Sequence, residues 1–308
     1  MIWPGSDTKR VPESQRVRES GAGHVIFTLG QNSGHYCAPN EAYDERLREG
    51  RERGREGGGE ESRLSRRDLV AEIGDALAAS GVKLIAYLPS HAPARHPEAV
   101  SALRCTPPWD MSACGIRTFW PDSENADERL TGFQRNWEAV VACWGKRWGK
   151  RVAGWWIDGC YFADRIYNVN EEPNGLTFAA ALRTGNPDRI LAFNSGTAHP
   201  FARVIADQDY TAGEFSSGLP VASQYEPLGP VTADGLRTHL LGHLGPGWGF
   251  ARGGEQSPRF TDELAQAYTG AVRQSGAALT WDVPILADGG IPEPFLRQFE
   301  QLGHLWRT

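Results

Sequence analysis

A chain of 308 residues with 40% hydrophobic content and eleven tryptophans has enough apolar material for a large core. Its net charge of −6, with no basic block, excludes nucleic acid as the main partner. No apolar run reaches membrane-spanning length, and residues 1–10 lack the apolar core of a signal peptide, so the sequence as given predicts a cytoplasmic chain. The five cysteines, at positions 37, 105, 114, 143 and 160, show no C-x-x-C pair. Reduced, mostly buried thiols are expected, a Cys105–Cys114 bridge being the main exception.

In chain order, residues 11–20 pattern as a helix that stops at Gly21-Ala22-Gly23 and feeds a strand over 24–30. A polar loop, Gln31 to Asn40, follows. Residues 45–67 are dense in Arg, Glu and Gly with few apolar residues, which predicts a solvated, mobile loop. Ser65-Arg66-Arg67-Asp68 reads as a capping box opening a helix with Leu69, Val70, Ile73 and Leu77 on one face. Val82 to Leu88 reads as a buried strand ending at Pro89-Ser90-His91. Residues 92–127 form a long proline-rich connection without period, in which Trp109, Phe119 and Trp120 suggest an ordered wall.

Leu130, Phe133, Trp137, Val140, Val141, Trp144 and Trp148 step by three and four along an amphipathic helix. The stretch that follows, Val152 to Asp158, is a buried strand that ends on a carboxylate and then glycine. Its adjacent Trp155 and Trp156 face opposite ways, one inside and one against helices. Further on come a helix over 175–183, a strand over 189–196, and an acidic strand end at Thr211 to Glu214. Thr238 to Phe250 reads as a strand running into a glycine-rich loop, 261–274 as a helix, 277–283 as a strand and 294–302 as a closing helix.

About seven strands alternating with helices imply right-handed crossovers and a mainly parallel sheet. Polar residues cluster at nearly every strand end, so the expected fold is a single α/β domain over 1–308, a (β/α)8 TIM-like barrel with its first strand missing or modified. No G-x-G-x-x-G follows the first strand, which argues against a dinucleotide fold and cofactor.

An aspartate before glycine is most often a turn or cap residue. The apolar run before Asp158 turns the reading to function, because a carboxylate at that point adds nothing to a core. Collected strand ends supply carboxylates, amides, imidazoles and aromatic rings, a sugar-binding palette. Retaining glycoside hydrolysis needs a nucleophilic carboxylate and a second one about 5–5.5 Å away as acid and base. Asp158 is the candidate nucleophile and Glu214 the candidate acid, with Asp282 and Glu226 as lesser candidates. Gln31, Asn32, His35, Tyr36, His91, Tyr161, His243, Trp248 and Asp282 are the candidate substrate contacts. No H-E-x-x-H or strand-end H-x-H supports a metal, and no G-x-S-x-G a serine nucleophile.

Several of these segments, in order, resemble the α-L-fucosidases of glycoside hydrolase family 29. The loop from Thr28 to Tyr36 is similar to the family's H-H-D-G-F loop, with Gln31 and Asn32 where the family usually has two histidines. Arg67-Asp68-Leu69-Val70, Trp156-Ile157-Asp158-Gly159, Asp209-Tyr210 to Glu214, Gly247-Trp248-Gly249-Phe250, and Leu279 to Pro292 resemble further family segments. The resemblance implies a barrel, an exo-acting double displacement on a terminal sugar through Asp158, an oligosaccharide or glycoside substrate, and no metal or other cofactor. A non-catalytic carbohydrate-binding barrel and a metal-dependent barrel hydrolase are the alternatives. Oligomeric state is not legible.

Overall fold

A computed structural model describes residues 17–54, 62–105, 129–197, 201–216, 218–220, 229–249, 257–286 and 288–306. Cys114, Glu226, Phe250, the excursion carrying Trp109, Phe119 and Trp120, and residues 11–16 of the expected first helix lie outside them. Cys37, Cys105, Cys143 and Cys160 carry free thiols.

Strands β1 (His24–Thr28), β2 (Lys83–Pro89), β3 (Val152–Asp158) and β4 (Ile190–Phe193) form one parallel sheet in that order. β5 (His239–His243) and β6 (Ala278–Asp282) form a parallel pair. The segment 209–215 stitches the two together without being a regular strand. Its Asp209 amide donates to the Leu191 carbonyl at 2.9 Å, and Leu241 and Phe215 exchange bonds with Gly213 and Leu241 carbonyls at 2.9 Å. Gly213, at φ +66°, lies so close to β5 that a Cβ would fall 1.8 Å from the His239 carbonyl oxygen. Any side chain there would push this segment off the sheet.

Alternation decides what each strand buries. Ile26, Ile85, Tyr87, Trp156, Ala192, Ala212 and Leu241 meet in one cluster inside the curl of the sheet. Their neighbours Val25, Phe27, Leu84, Ala86, Leu88, Trp155, Ile157, Leu191 and Phe193 face the helices. Trp155 and Trp156 thus separate to opposite faces, as the pleat predicts. The expected eight-stranded ring is met in part: the order is α/β and parallel, and no backbone ladder joins β1 to β6 among the described residues. A side-chain relay crosses there instead. The His239 Nδ1 faces the Thr211 and Ala212 carbonyls at 3.1 and 3.2 Å, so it carries the proton. Burial pushes the His239 pKa down to about 3, leaving the ring neutral. Its Nε2 therefore accepts from the Thr280 hydroxyl at 2.8 Å, whose oxygen accepts from His24 Nε2 at 2.7 Å.

Helices α1 (Glu41–Gly54), α2 (Leu69–Ala79), α3 (Pro97–Leu103), α4 (Thr131–Trp148), α5 (Ala163–Ile166), α6 (Gly175–Leu182), α7 (Asp262–Gln274) and α8 (Glu293–Gly303) complete the described fold. α1 and α3 correct the sequence reading. Residues 45–54, expected in a mobile loop, are helical because Tyr43 and Leu47, four apart, reach the core while the charges stay outside. Arg51 pairs with Glu98 of α3, fixing α3 inside what reads as a loop without period. At α2 the cap is Asp68 itself, which accepts from the Ala71 amide at 2.9 Å, while Ser65 accepts from Arg67 outside the helix.

α4 buries the predicted stripe. Trp137, Trp144 and Trp148 are fully buried there, each worth roughly 4–6 kcal/mol gross at about 25 cal/mol per Å². Its end is braced by Arg189, whose buried guanidinium donates to the Val152, Leu182, Thr184, Gly145 and Gly149 carbonyls at 2.6–3.1 Å. Those carbonyls lie at the C-terminal ends of α4 and α6, where acceptors exceed the backbone donors available, and at the foot of β3.

Candidate active site

The chemistry gathers two residues beyond the interior cluster, at strand ends of the same parity. Asp158 follows Trp156, Asn194 follows Ala192, Glu214 follows Ala212 and His243 follows Leu241, and Asp282 stands opposite His243 in the β5–β6 register. Parallel strands put all these ends at one rim.

Asp158 is held by three donors. Tyr87, stacked on Trp156 with ring centres 5.3 Å apart, donates its hydroxyl to Oδ2 at 2.6 Å. The Gly159 amide and the Asn194 Nδ2 donate to Oδ1 at 2.8 and 2.9 Å. Gln31 Nε2 in turn donates to the Tyr87 hydroxyl at 2.8 Å, fixing which way that proton points. Burial raises the Tyr87 pKa, and the Asp158 charge raises it further, so the phenol stays a donor.

Asn194 joins the two carboxylates. Its Nδ2 also donates to Glu214 Oε2 at 2.5 Å, while its Oδ1 accepts from the Gly196 amide, which fixes the orientation of the amide. One nitrogen that bonds both acids limits their nearest oxygens to the two bonds laid end to end. That limit is compatible with the window of about 5–5.5 Å for a retaining pair. Burial raises the Glu214 pKa above the usual carboxylate value. The Asn194 bond lowers it in part, and the negative charge of Asp158 adds to the rise. The pair is therefore one carboxyl fixed by three donors beside one whose pKa is raised.

A cavity of about 790 Å³ opens over this pair and runs along β1 and β6. Of the residues singled out from sequence, Gln31, Asn32, Asp158, Tyr161, Glu214, Trp248 and Asp282 line it. Burial pushes the Asp282 carboxyl up to about 6, against the single Gly249 amide that donates to it at 2.8 Å. The remaining candidates sit outside the lining. His35 is exposed on its loop, and Tyr36 is buried between Tyr43 and Trp144. His91 is buried against Phe133 with Nδ1 on the Ser90 hydroxyl, and burial lowers its pKa to about 3. His243 stands behind Trp248 with its Nδ1 bonded to the Gly245 carbonyl at 2.7 Å. Asn194 was collected among the polar strand ends but given no role, and Tyr87 was not singled out at all. Strand parity is the signal that finds them, since both share the inward phase of Asp158. Among the described residues, no group of three His, Cys, Asp or Glu side chains is placed to hold a metal ion.

No protein-family model matches the sequence, nor does any curated protein. Solved structures do match its fold. The endo-fucoidan hydrolase MfFcnA9 of glycoside hydrolase family 107 superposes with a TM-score of 0.70 at 17% identity, over 94% of this chain and 58% of that one. The α-L-fucosidase isoenzyme 1 of Paenibacillus thiaminolyticus gives 0.61 at 15% identity, over 96% and 62%. AlfC of Lactobacillus casei, an α-L-fucosidase solved with α-L-fucose product, gives 0.59 at 14%, over 94% and 77%. The chain thus spans less than two thirds of the first two. Family 29 is not singled out, because structures from family 107 match as well. The chain has the fold shared by fucose-active glycoside hydrolases.

Proposed function

We propose that this chain is a retaining glycoside hydrolase that removes a terminal α-L-fucose-type sugar, working at the mouth of a (β/α) barrel. The observation that carries the reading is the Asn194 amide, bonded at once to Asp158 and Glu214. Asp158 forms a bond to the anomeric carbon as the glycosidic C–O bond breaks, and Glu214 gives its proton to the departing oxygen. Glu214, now a carboxylate, takes a proton from water as that water attacks the same carbon and releases Asp158. The raised Glu214 pKa suits the first step, and the donors on Asp158 hold it aimed.

The test is release of nitrophenol from an aryl α-L-fucoside by wild type and by Asp158→Ala. Turnover should fall by about 10³-fold or more in the variant, by analogy with loss of a nucleophile elsewhere. Added azide should restore nitrophenol release and yield a fucosyl azide of inverted configuration. Wild-type turnover in Asp158→Ala would sink the assignment.

A competing acid is Asp282, whose carboxyl also holds a proton to about pH 6 and lines the same cavity. If Asp282→Asn abolishes turnover on a substrate with a poor leaving group while Glu214→Gln does not, the acid role moves there.

A further inference from the structure

A second depression, of about 250 Å³, lies beside the main cavity. Tyr161 lines both, and its ring stands 41% exposed on the wall between them. The ring lies over Gly196, where a Cβ would come within 3.3 Å of it, so the glycine leaves room for the aromatic face. Around the depression stand Asp164, Asn168, Ser195 and Ala202, with the Asn168 Nδ2 donating to Asp164 Oδ1 at 3.2 Å. Asn194, which bonds Glu214, and residues Thr211 to Gly213, which precede Glu214 in the chain, also line it, while Glu214 itself lines the main cavity.

We infer that this depression is a subsite for the sugar that leaves, on the proton donor's side of the bond being cut. The inference rests on the reading of Asp158 and Glu214 as the hydrolytic pair. Position assigns the side: the floor is the segment that presents Glu214, and the leaving oxygen must lie against that acid. Chemistry assigns the ligand. A half-exposed aromatic face with carboxylate, amide and hydroxyl groups around it suits a ring that has one apolar face and a rim of hydroxyls. The volume falls just below the range of about 300–1,000 Å³ that drug-sized ligands take, leaving room for one such ring. Arg203 does not make the depression an anion site, because its guanidinium is already bonded to the Ala206, Gln208 and Asp234 carbonyls. The substrate class is therefore a neutral oligosaccharide held on both sides of the bond. Binding energy from the second ring would be available to raise the rate at the first.

Ala202→Trp places a large ring into the depression from an exposed position on its lining, at a residue that does not line the cavity over Asp158. The probes are a set of α-L-fucosyl disaccharides differing in linkage, and an aryl α-L-fucoside. At least one disaccharide should exceed the aryl fucoside in kcat/KM, and Ala202→Trp should cut that ratio by about tenfold or more. A ratio unchanged by Ala202→Trp overturns the subsite while leaving the Asp158 reaction standing. Titration of the Asp158→Asn form separates the two ideas. It should bind the disaccharide about tenfold more tightly than free fucose, and lose that advantage with Ala202→Trp. Equal binding of both overturns the subsite alone, and no binding of either sugar overturns the fucoside reading and the subsite with it.

Discussion

The ends of β3 and β6 place an aspartate at the same rim in opposite circumstances. Asp158 receives three donors, from Tyr87, Gly159 and Asn194. Asp282, half-buried at the end of β6, receives one, from Gly249, and its carboxyl is pushed up by burial to about 6. Donors aimed at a carboxylate stabilise its charge, and burial without them removes it. Identical side chains at one rim are thus prepared for different work: Asp158 is fixed in direction by three donors, and Asp282 is an acid whose carboxyl is pushed up to about 6.

The largest departure from this contrast is expected at Glu214, which stands between the two, buried yet bonded once by Asn194. Glu214→Gln should lower kcat by about 10²–10⁴-fold on a substrate with a poor leaving group, and far less on an aryl fucoside that needs no protonation. The reaction needs Glu214 protonated, and its pKa is raised, so the alkaline limb of the wild-type rate profile should lie above the ordinary glutamate value. A limb that stays in place in Glu214→Gln would assign it to another group.

A smaller effect is expected at Tyr87. Tyr87→Phe removes one charge-assisted bond from Asp158, of the order of 1.5–3 kcal/mol, or about 10–100-fold in kcat/KM. An unchanged kcat/KM would mean that two donors are enough to hold Asp158.

The smallest effect concerns stability rather than rate. Asp282 holds its proton more firmly in the folded chain than in the unfolded one, where the value is near 4. Its favourable contribution is complete below about pH 4 and is lost as pH rises through about 6. Asp282→Asn should therefore raise the melting temperature at pH 8 by a few degrees and change it little at pH 4. Asparagine keeps an acceptor for the Gly249 amide. Equal shifts at both pH values would place the effect in packing instead.

How much of this was legible in the sequence depends on which residues carry periodicity. The α4 stripe and the run into Asp158 declare themselves, since each repeats its apolar signal several times within one element. α1 hides because only Tyr43 and Leu47 face the core among many charges, which reads as solvated chain. The segment presenting Glu214 reads in sequence as a strand end, but Gly213, in its close pass by His239, leaves it an irregular segment tied by isolated bridges. Tyr87 looks ordinary in sequence and Asn194 is only one polar strand end among many, and their roles come from the register that brings β2, β3 and β4 side by side. His91 and Tyr36 sit at loop positions suited to a site, but packing against Phe133 and Trp144 draws them inward.

Arg189 gives the site a dependence on something far from it. Its guanidinium grips the Val152 carbonyl at the foot of β3, and Asp158 stands at the head, six residues further on. At about 3.3 Å per residue the strand is a stiff rod of roughly 20 Å between the two. A rod clamped at its base sets where its tip points, and a tip misplaced by about 1 Å can cost about 10²-fold in rate. The clamp needs no carboxylate partner, because five carbonyl dipoles spread the charge, and its lowered pKa of about 10 keeps it cationic through the physiological range. Aim at the reacting carbon is thus calibrated at the far end of the sheet, by a residue that substrate never meets.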